Sequence, residues 1–173
     1  MALALFKLGT AEGVARPAIA TTMPTFKKPF VLIDAGANVD CSPENLFQFA
    51  LMGDAYCRLM LGRKRPKVAL LSIGEEPTKG NELTKEAFKL LKKADINFIG
   101  NIEGKDLFMG NADVVVCDGF IGNIVLKTSE GLAEVILKML KKEIADVATG
   151  KLGYLLMKPA IKNFKKKTCL LLY

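Results

Sequence analysis

Three short runs constrain this chain most: Phe30-Val31-Leu32-Ile33-Asp34, Val68-Ala69-Leu70-Leu71-Ser72-Ile73 and Asp113-Val114-Val115-Val116-Cys117, each apolar at consecutive positions. A strand with one wet face alternates apolar and polar residues, so runs of this kind must bury both faces. Segments of helical period separate them. Pro43 to Leu61 follows Ser42, which suits an N-cap, and puts Pro43 at the first helical position. Glu82 to Lys93 repeats apolar residues at Leu83, Ala87, Leu90 and Leu91. Weaker β-type runs stand at Ala18–Thr22 and Phe98-Ile99. Alternating doubly apolar strands with helices predicts an α/β protein with a mostly parallel sheet covered on both sides.

Composition narrows the chemistry. The 173 residues suffice for one ordinary core, and a half-hydrophobic chain argues against disorder. No apolar run approaches the ~20 residues that span a bilayer, and MALALFKLGT lacks a basic leader. Cys41, Cys57, Cys117 and Cys169 form no C-x-x-C pair, which suits reduced, packed thiols in the cytoplasm. Histidine is absent, which removes Ser-His and Cys-His nucleophiles and most zinc sites. The chemistry falls to Lys, Asn, carboxylates, hydroxyls and backbone amides, with no cofactor or metal expected.

Three strand ends share one vocabulary of glycine, asparagine and carboxylate: 34–40 (DAGANVD), 74–82 (GEEPTKGNE) and 118–123 (DGFIGN). Ligands of such sheets bind where strands end and helices begin, on unpaired amides and the positive end of the helix dipole. Glycine lets backbone approach a ligand, and Asn caps a helix or donates to an oxyanion. Lys79 and Lys127 are each expected within a turn of a helix start, adding a full charge to the dipole. The loops together suit phosphate, although each alone is also ordinary turn chemistry. Neither G-x-G-x-x-G nor G-x-x-x-x-G-K-[ST] is present. A calcium loop over 34–45 fails, because Val39 replaces the required Gly and Asn45 the closing Glu. Cys117 reads as a buried strand cysteine, and Glu75-Glu76 as solvated acids.

The blocks RPAIATTMPT, LIDAGANVDCSPENLFQFALMGDAY, RPKVALLSIGEEPTKGNEL, ADVVVCDGFIGNIVLKTSEG and KLGYLLMKPAIK run through nearly all of the chain. With them the sequence resembles the bacterial phosphate acyltransferases of phospholipid synthesis, the PlsX family. The resemblance implies a three-layer α/β/α fold akin to phosphotransacetylases and isopropylmalate-type dehydrogenases. It implies transfer of a fatty acyl group from acyl carrier protein to inorganic phosphate, giving acyl phosphate. It assigns Lys79 and Lys127 to phosphate and the developing oxyanion, and Asn81 and Asn123 to orienting phosphate or the thioester carbonyl. Asp34, Asn38 and Asp118 would set loop geometry or act as base. Gly36, Asp40, Gly80, Glu82, Gly119 and Gly122 complete the expected substrate-binding loops.

Members of that family are about twice this length, and Met1–Lys7 opens inside a helical pattern without a cap. Missing flanks at both ends, and inactivity of the chain alone, are therefore expected. The expected division is a partial α/β domain at 1–123, a basic helical hairpin at 124–167 and a non-family tail at 168–173. Lys138 to Lys167 holds nine lysines against Glu143 and Asp146, a net +7 that equals the formal charge of the whole chain. Leu132, Val135, Ile136, Met139 and Leu140 share a helical face, and a break at Ala148-Thr149-Gly150 precedes a second amphipathic segment. Its tip, Lys151, Leu152, Tyr154, Leu155, Leu156, Met157 and Lys158, is the expected membrane or partner contact. A homodimer interface, an anionic membrane and acidic acyl carrier protein compete as occupants of the hairpin. Nucleic acid is disfavoured, because aromatic residues do not interleave the lysines. The resemblance implies dimer helices with a membrane-touching tip, hence a cytoplasmic, peripherally membrane-associated protein. A phosphotransacetylase-like enzyme and a non-catalytic lipid-surface scaffold are the alternatives.

Overall fold

The computed structural model describes residues 13–147, 153, 155–159 and 162. The chain divides into two compact units, Met1–Asn123 and Ile124–Tyr173.

The first unit is built on one five-stranded sheet. Its strands are β1 (Ala20–Met23), β2 (Phe30–Ile33), β3 (Val68–Leu71), β4 (Phe98–Ile102) and β5 (Val114–Val116), in the order β1-β2-β5-β3-β4. β5 lies between β2 and β3, parallel to both, and β4 is parallel to β3. Only β1 runs antiparallel to its neighbour, β2. The doubly apolar runs behave as their composition requires. Val31, Ile33, Val68, Leu70, Val114 and Val116 join one buried cluster, and Phe30, Leu32, Ala69 and Val115 are fully buried as well.

Helix α1 (Pro43–Leu61) starts at the expected residue. The Ser42 side chain accepts from the Asn45 amide, and the Asn45 side chain accepts from the Ser42 amide, closing a capping box. Gly62 ends the helix with φ +66°, a left-handed conformation that costs glycine little. Leu46, Phe49, Ala50 and Cys57 line its buried face against the sheet cluster. Gly53 lies where α1 crosses β5, for an added Cβ would come within 2.6 Å of Val114 Cγ1.

Helix α2 (Glu82–Leu91) is amphipathic and buries Ala87 and Leu91. A 3-10 helix at Gly104–Met109 leads into β5, with the Phe108 ring edge-on to Phe30 at 6.3 Å.

Helix α3 (Gly119–Asp146) corrects one expectation. Residues 118–123 read as a glycine-rich loop, yet the helix begins at Gly119. Asp118 caps it: Oδ1 accepts from the Ile121 amide at 2.8 Å. Lys127 therefore lies more than two turns inside the helix rather than within the first turn.

In the second unit, Leu132, Val135, Ile136, Met139 and Leu140 are exposed on α3. Gly153, 155–159 and Lys162 are helical, and Leu155, Leu156, Met157 and Lys158 are exposed. The expected break at 148–150, Lys151, Leu152, Tyr154 and the tail at 168–173 lie outside the described residues. Among the described residues no helix is long and apolar enough to cross a membrane.

Candidate functional site

Because β2, β5 and β3 are parallel neighbours, their C-terminal ends bring parts of the three glycine- and asparagine-bearing segments to one edge of the sheet. Two structures form there: a network centred on Asp34, and a cavity between β3, β5 and the start of α2.

The Asp34 carboxylate is fully buried. Oδ1 accepts from the amides of Ile19, Gly36 and Ala37 at 2.9, 3.2 and 3.0 Å. Oδ2 accepts from the Asn38 amide and from Asn38 Nδ2, each at 2.8 Å. Five donors satisfy the carboxylate and fold residues 35–38 around it. Asn38 Nδ2 also donates to the Pro17 carbonyl at 2.8 Å, tying the loop to the segment before β1.

The start of α3 docks on this loop. The Gly119 amide donates to the Asn38 carbonyl at 2.7 Å. A Cβ on Gly119 would sit 2.7 Å from backbone atoms of Asn38, and one on Gly122 would collide with the Asp34 carbonyl oxygen. Both glycines thus have a packing reason: helix backbone lies directly on loop backbone. Gly36 has φ +129°, and a Cβ there would lie 3.4 Å from Asn123 Cβ, so Gly36 and Asn123 are neighbours.

The cavity encloses about 400 Å³. Leu46, Leu71, Ile73, Cys117 and Ile121 form its apolar wall, and Ser72, Gly80, Asn81, Thr84 and Asp118 complete it. None of these is a lysine or arginine. Asn81 caps α2, its Oδ1 accepting from the Thr84 amide at 2.9 Å. Gly80, at φ +109°, permits close packing on Ser72 and Thr84.

Lys79 is exposed just ahead of the α2 cap, and its carbonyl accepts from Ser72 Oγ at 3.2 Å. The other candidates do not line this cavity. Glu82 lines a separate hollow with Lys85, Lys89 and Lys92. Asp40 is exposed, and its carbonyl accepts from Arg16 Nη1 at 2.8 Å. Lys127 belongs to the second unit and pairs with Glu130 at 2.8 Å.

Cys117 is buried, and burial followed by the charges of Asp118 and Asp34 pushes its thiol far above the ordinary range. A thiol so held is protonated and inert as a nucleophile. Burial also raises Cys41 and Cys57. A thiol pKa higher in the folded than in the unfolded chain stabilises the fold fully below the unfolded value of 9.0. That contribution is lost as pH rises through the folded values. Urea denaturation should show stability falling from about pH 8 to about pH 10.5, with a shallower fall in a Cys41→Ala, Cys57→Ala, Cys117→Ala variant.

Sequence reading missed the apolar wall, because Leu46, Leu71 and Ile121 carry the same signal as core residues. Ser72 and Thr84 were missed too; the positive-φ Gly80 between them was the available hint.

A mostly parallel sheet with a cavity at its C-terminal edge beside a capped helix start defines an α/β protein, and its fold is one that phosphotransacetylases share. The EutD phosphotransacetylase from Staphylococcus aureus superposes with a TM-score of 0.60 at 22% identity, over 76% of this chain and 46% of that one. A phosphotransacetylase from Streptococcus pyogenes gives a TM-score of 0.57 at 20% identity, over 72% and 44%. At such identities the likeness is one of fold. The chain belongs to the fatty acid synthesis protein family, whose pattern matches residues 1–170. It is 67% identical over 167 residues to the phosphate acyltransferase of Thermodesulfovibrio yellowstonii, covering 96% of this chain and 48% of that protein. It is 54% identical over 168 residues to the phosphate acyltransferase of Campylobacter jejuni, covering 97% and 51%. The chain thus spans about half the length of the curated relatives it matches.

Proposed function

We propose that this chain carries part of the site of a phosphate acyltransferase, which moves a fatty acyl group from acyl carrier protein to inorganic phosphate. The 67% identity to a phosphate acyltransferase, sustained over 96% of the chain, carries this reading. A phosphate oxygen attacks the thioester carbonyl, the carbon–sulfur bond breaks, and the carrier thiolate leaves as acyl phosphate forms. No histidine is required, in keeping with the composition.

In this reading Lys79 and the first-turn amides of α2 hold phosphate and the developing oxyanion. Asn81 Nδ2 and Asn123 orient phosphate and the thioester carbonyl. Asp34 and Asn38 fix the loop beside Asn123, and Asp118 sets the start of α3. Gly36, Gly119 and Gly122 allow that close approach, Gly80 shapes the turn into α2, and Lys127 is a second candidate for the charge role. Asp40 and Glu82 lie at the margins of the substrate loops.

The exposed apolar face of α3, the lysines of the second unit and the residues 151–158 suit a homodimer interface and a peripheral contact with anionic membrane. The protein is then cytoplasmic, with acyl carrier protein as its acidic partner.

The test is a chimaera in which this chain replaces the matching 167 residues of the Thermodesulfovibrio enzyme. It should form acyl phosphate from acyl carrier protein and phosphate, whereas the chain alone should not. Lys79→Ala in the chimaera should lower turnover by about 10²–10³-fold. An inactive chimaera that folds counts against the acyl-transfer reading, and unchanged turnover in Lys79→Ala against the lysine's role.

A further inference from the structure

We propose that the cavity between β3, β5 and α2 receives the alkyl chain of the acyl group rather than phosphate, with Ile121 setting the space available to it. This rests on the acyl-transfer reading above and assigns a ligand class to one of its pockets.

Two observations argue against an anion in the interior of the cavity. No lysine or arginine lines it, and the Asp118 carboxylate does. Several polar groups on its wall are also engaged by the protein, which leaves Asn81 Nδ2 for phosphate at the margin. Asn81 Oδ1 accepts from Thr84, Thr84 Oγ1 donates to the Asn81 carbonyl at 3.0 Å, and Ser72 Oγ donates to the Lys79 carbonyl. Asp118 Oδ1 accepts from Ile121, and Cys117 Sγ is 3.6 Å from the Asp34 carbonyl. A buried phosphate would bring several acceptors and find few spare donors, which is costly.

An alkyl chain asks for none. Leu46, 1% exposed, lines the cavity together with Leu71, Ile73 and Ile121, which gives it an apolar surface. About 400 Å³ lies within the usual range for small-ligand sites. Lys79 and the amides of α2 stand beside this apolar space, so phosphate held there meets a carbonyl whose tail occupies the cavity. Ile121 is 40% exposed, so a larger side chain there fills the cavity without entering the core.

The intact 173-residue chain is titrated with the fluorescent fatty acid cis-parinaric acid. Saturable binding is expected, with affinity about tenfold lower in Ile121→Trp. Millimolar inorganic phosphate should leave it unaffected, as should Leu59→Ser on the exposed face of α1. A diazirine-bearing fatty acid should label the peptides of Leu46 or Ile121, a readout independent of how the variants fold. No saturable binding, wild-type affinity in folded Ile121→Trp, displacement by phosphate, or labelling confined to other peptides would each overturn the assignment. Binding in the cavity with an inactive chimaera would instead remove the acyl-transfer reading, so the two failures are distinguishable.

Discussion

Replacing Asp34 by alanine is expected to cost more than about 4 kcal/mol, a large part of the 5–15 kcal/mol that separates a domain of this size from its unfolded state. The carboxylate is fully buried and accepts from the amides of Ile19, Gly36, Ala37 and Asn38 and from Asn38 Nδ2. Alanine leaves these donors without their acceptor, and each stranded buried donor costs about 1–3 kcal/mol. Some recover partners in water once the loop opens, so the full sum is not reached. Asp34→Asn keeps one oxygen and should lose roughly half as much. Urea unfolding followed by circular dichroism measures the loss. Amide exchange at Gly36, Ala37 and Asn38 should rise with it. Wild-type stability in Asp34→Ala would show that the network does not hold the loop.

Gly122→Ala is the second large effect, and its sign opposes intuition. In a helix, alanine is ordinarily better than glycine by about 1 kcal/mol. Here the new methyl would meet the Asp34 carbonyl oxygen and lie 3.0 Å from Cys117 Sγ. Backbone on the rim of a sheet yields little, so the start of α3 must lift from the loop. A net loss of at least about 2 kcal/mol is expected. Gly131 supplies the contrast: it lies in the same helix, and nothing stands within 4 Å of an added Cβ. Gly131→Ala should stabilise by about 1 kcal/mol. The two variants should move the urea midpoint in opposite directions. A shared direction would mean that docking of α3 on the loop does not govern position 122.

Much of this was legible in the chain itself. Consecutive valines at 114–116 demanded a strand buried on both faces, and the sheet places them in its centre. Ser42-Pro43 fixed the start of α1 to the residue, because cap chemistry is local and reads directly from sequence. The segment 118–123 was misread for a physical reason. Glycine signals both a turn and a place where two backbones touch, and only tertiary structure decides between them. Asp118 acts as the cap, and the glycines mark the contact. Lys127 shifted from the first helical turn to the third as a consequence. The cavity wall was invisible for a different reason: Leu46 or Ile121 looks the same in sequence whether it faces a strand or an empty space.

The contact between α3 and the Asp34 loop also bears on how relatives of this chain are judged. Gly119, Gly122 and Asp34 are demanded by the fold before any substrate arrives. A descendant that had abandoned catalysis would still need all three to assemble. Their survival in a genome is therefore evidence of architecture, whereas Lys79, whose side chain is exposed, is the position whose loss would count against the proposed acyl transfer.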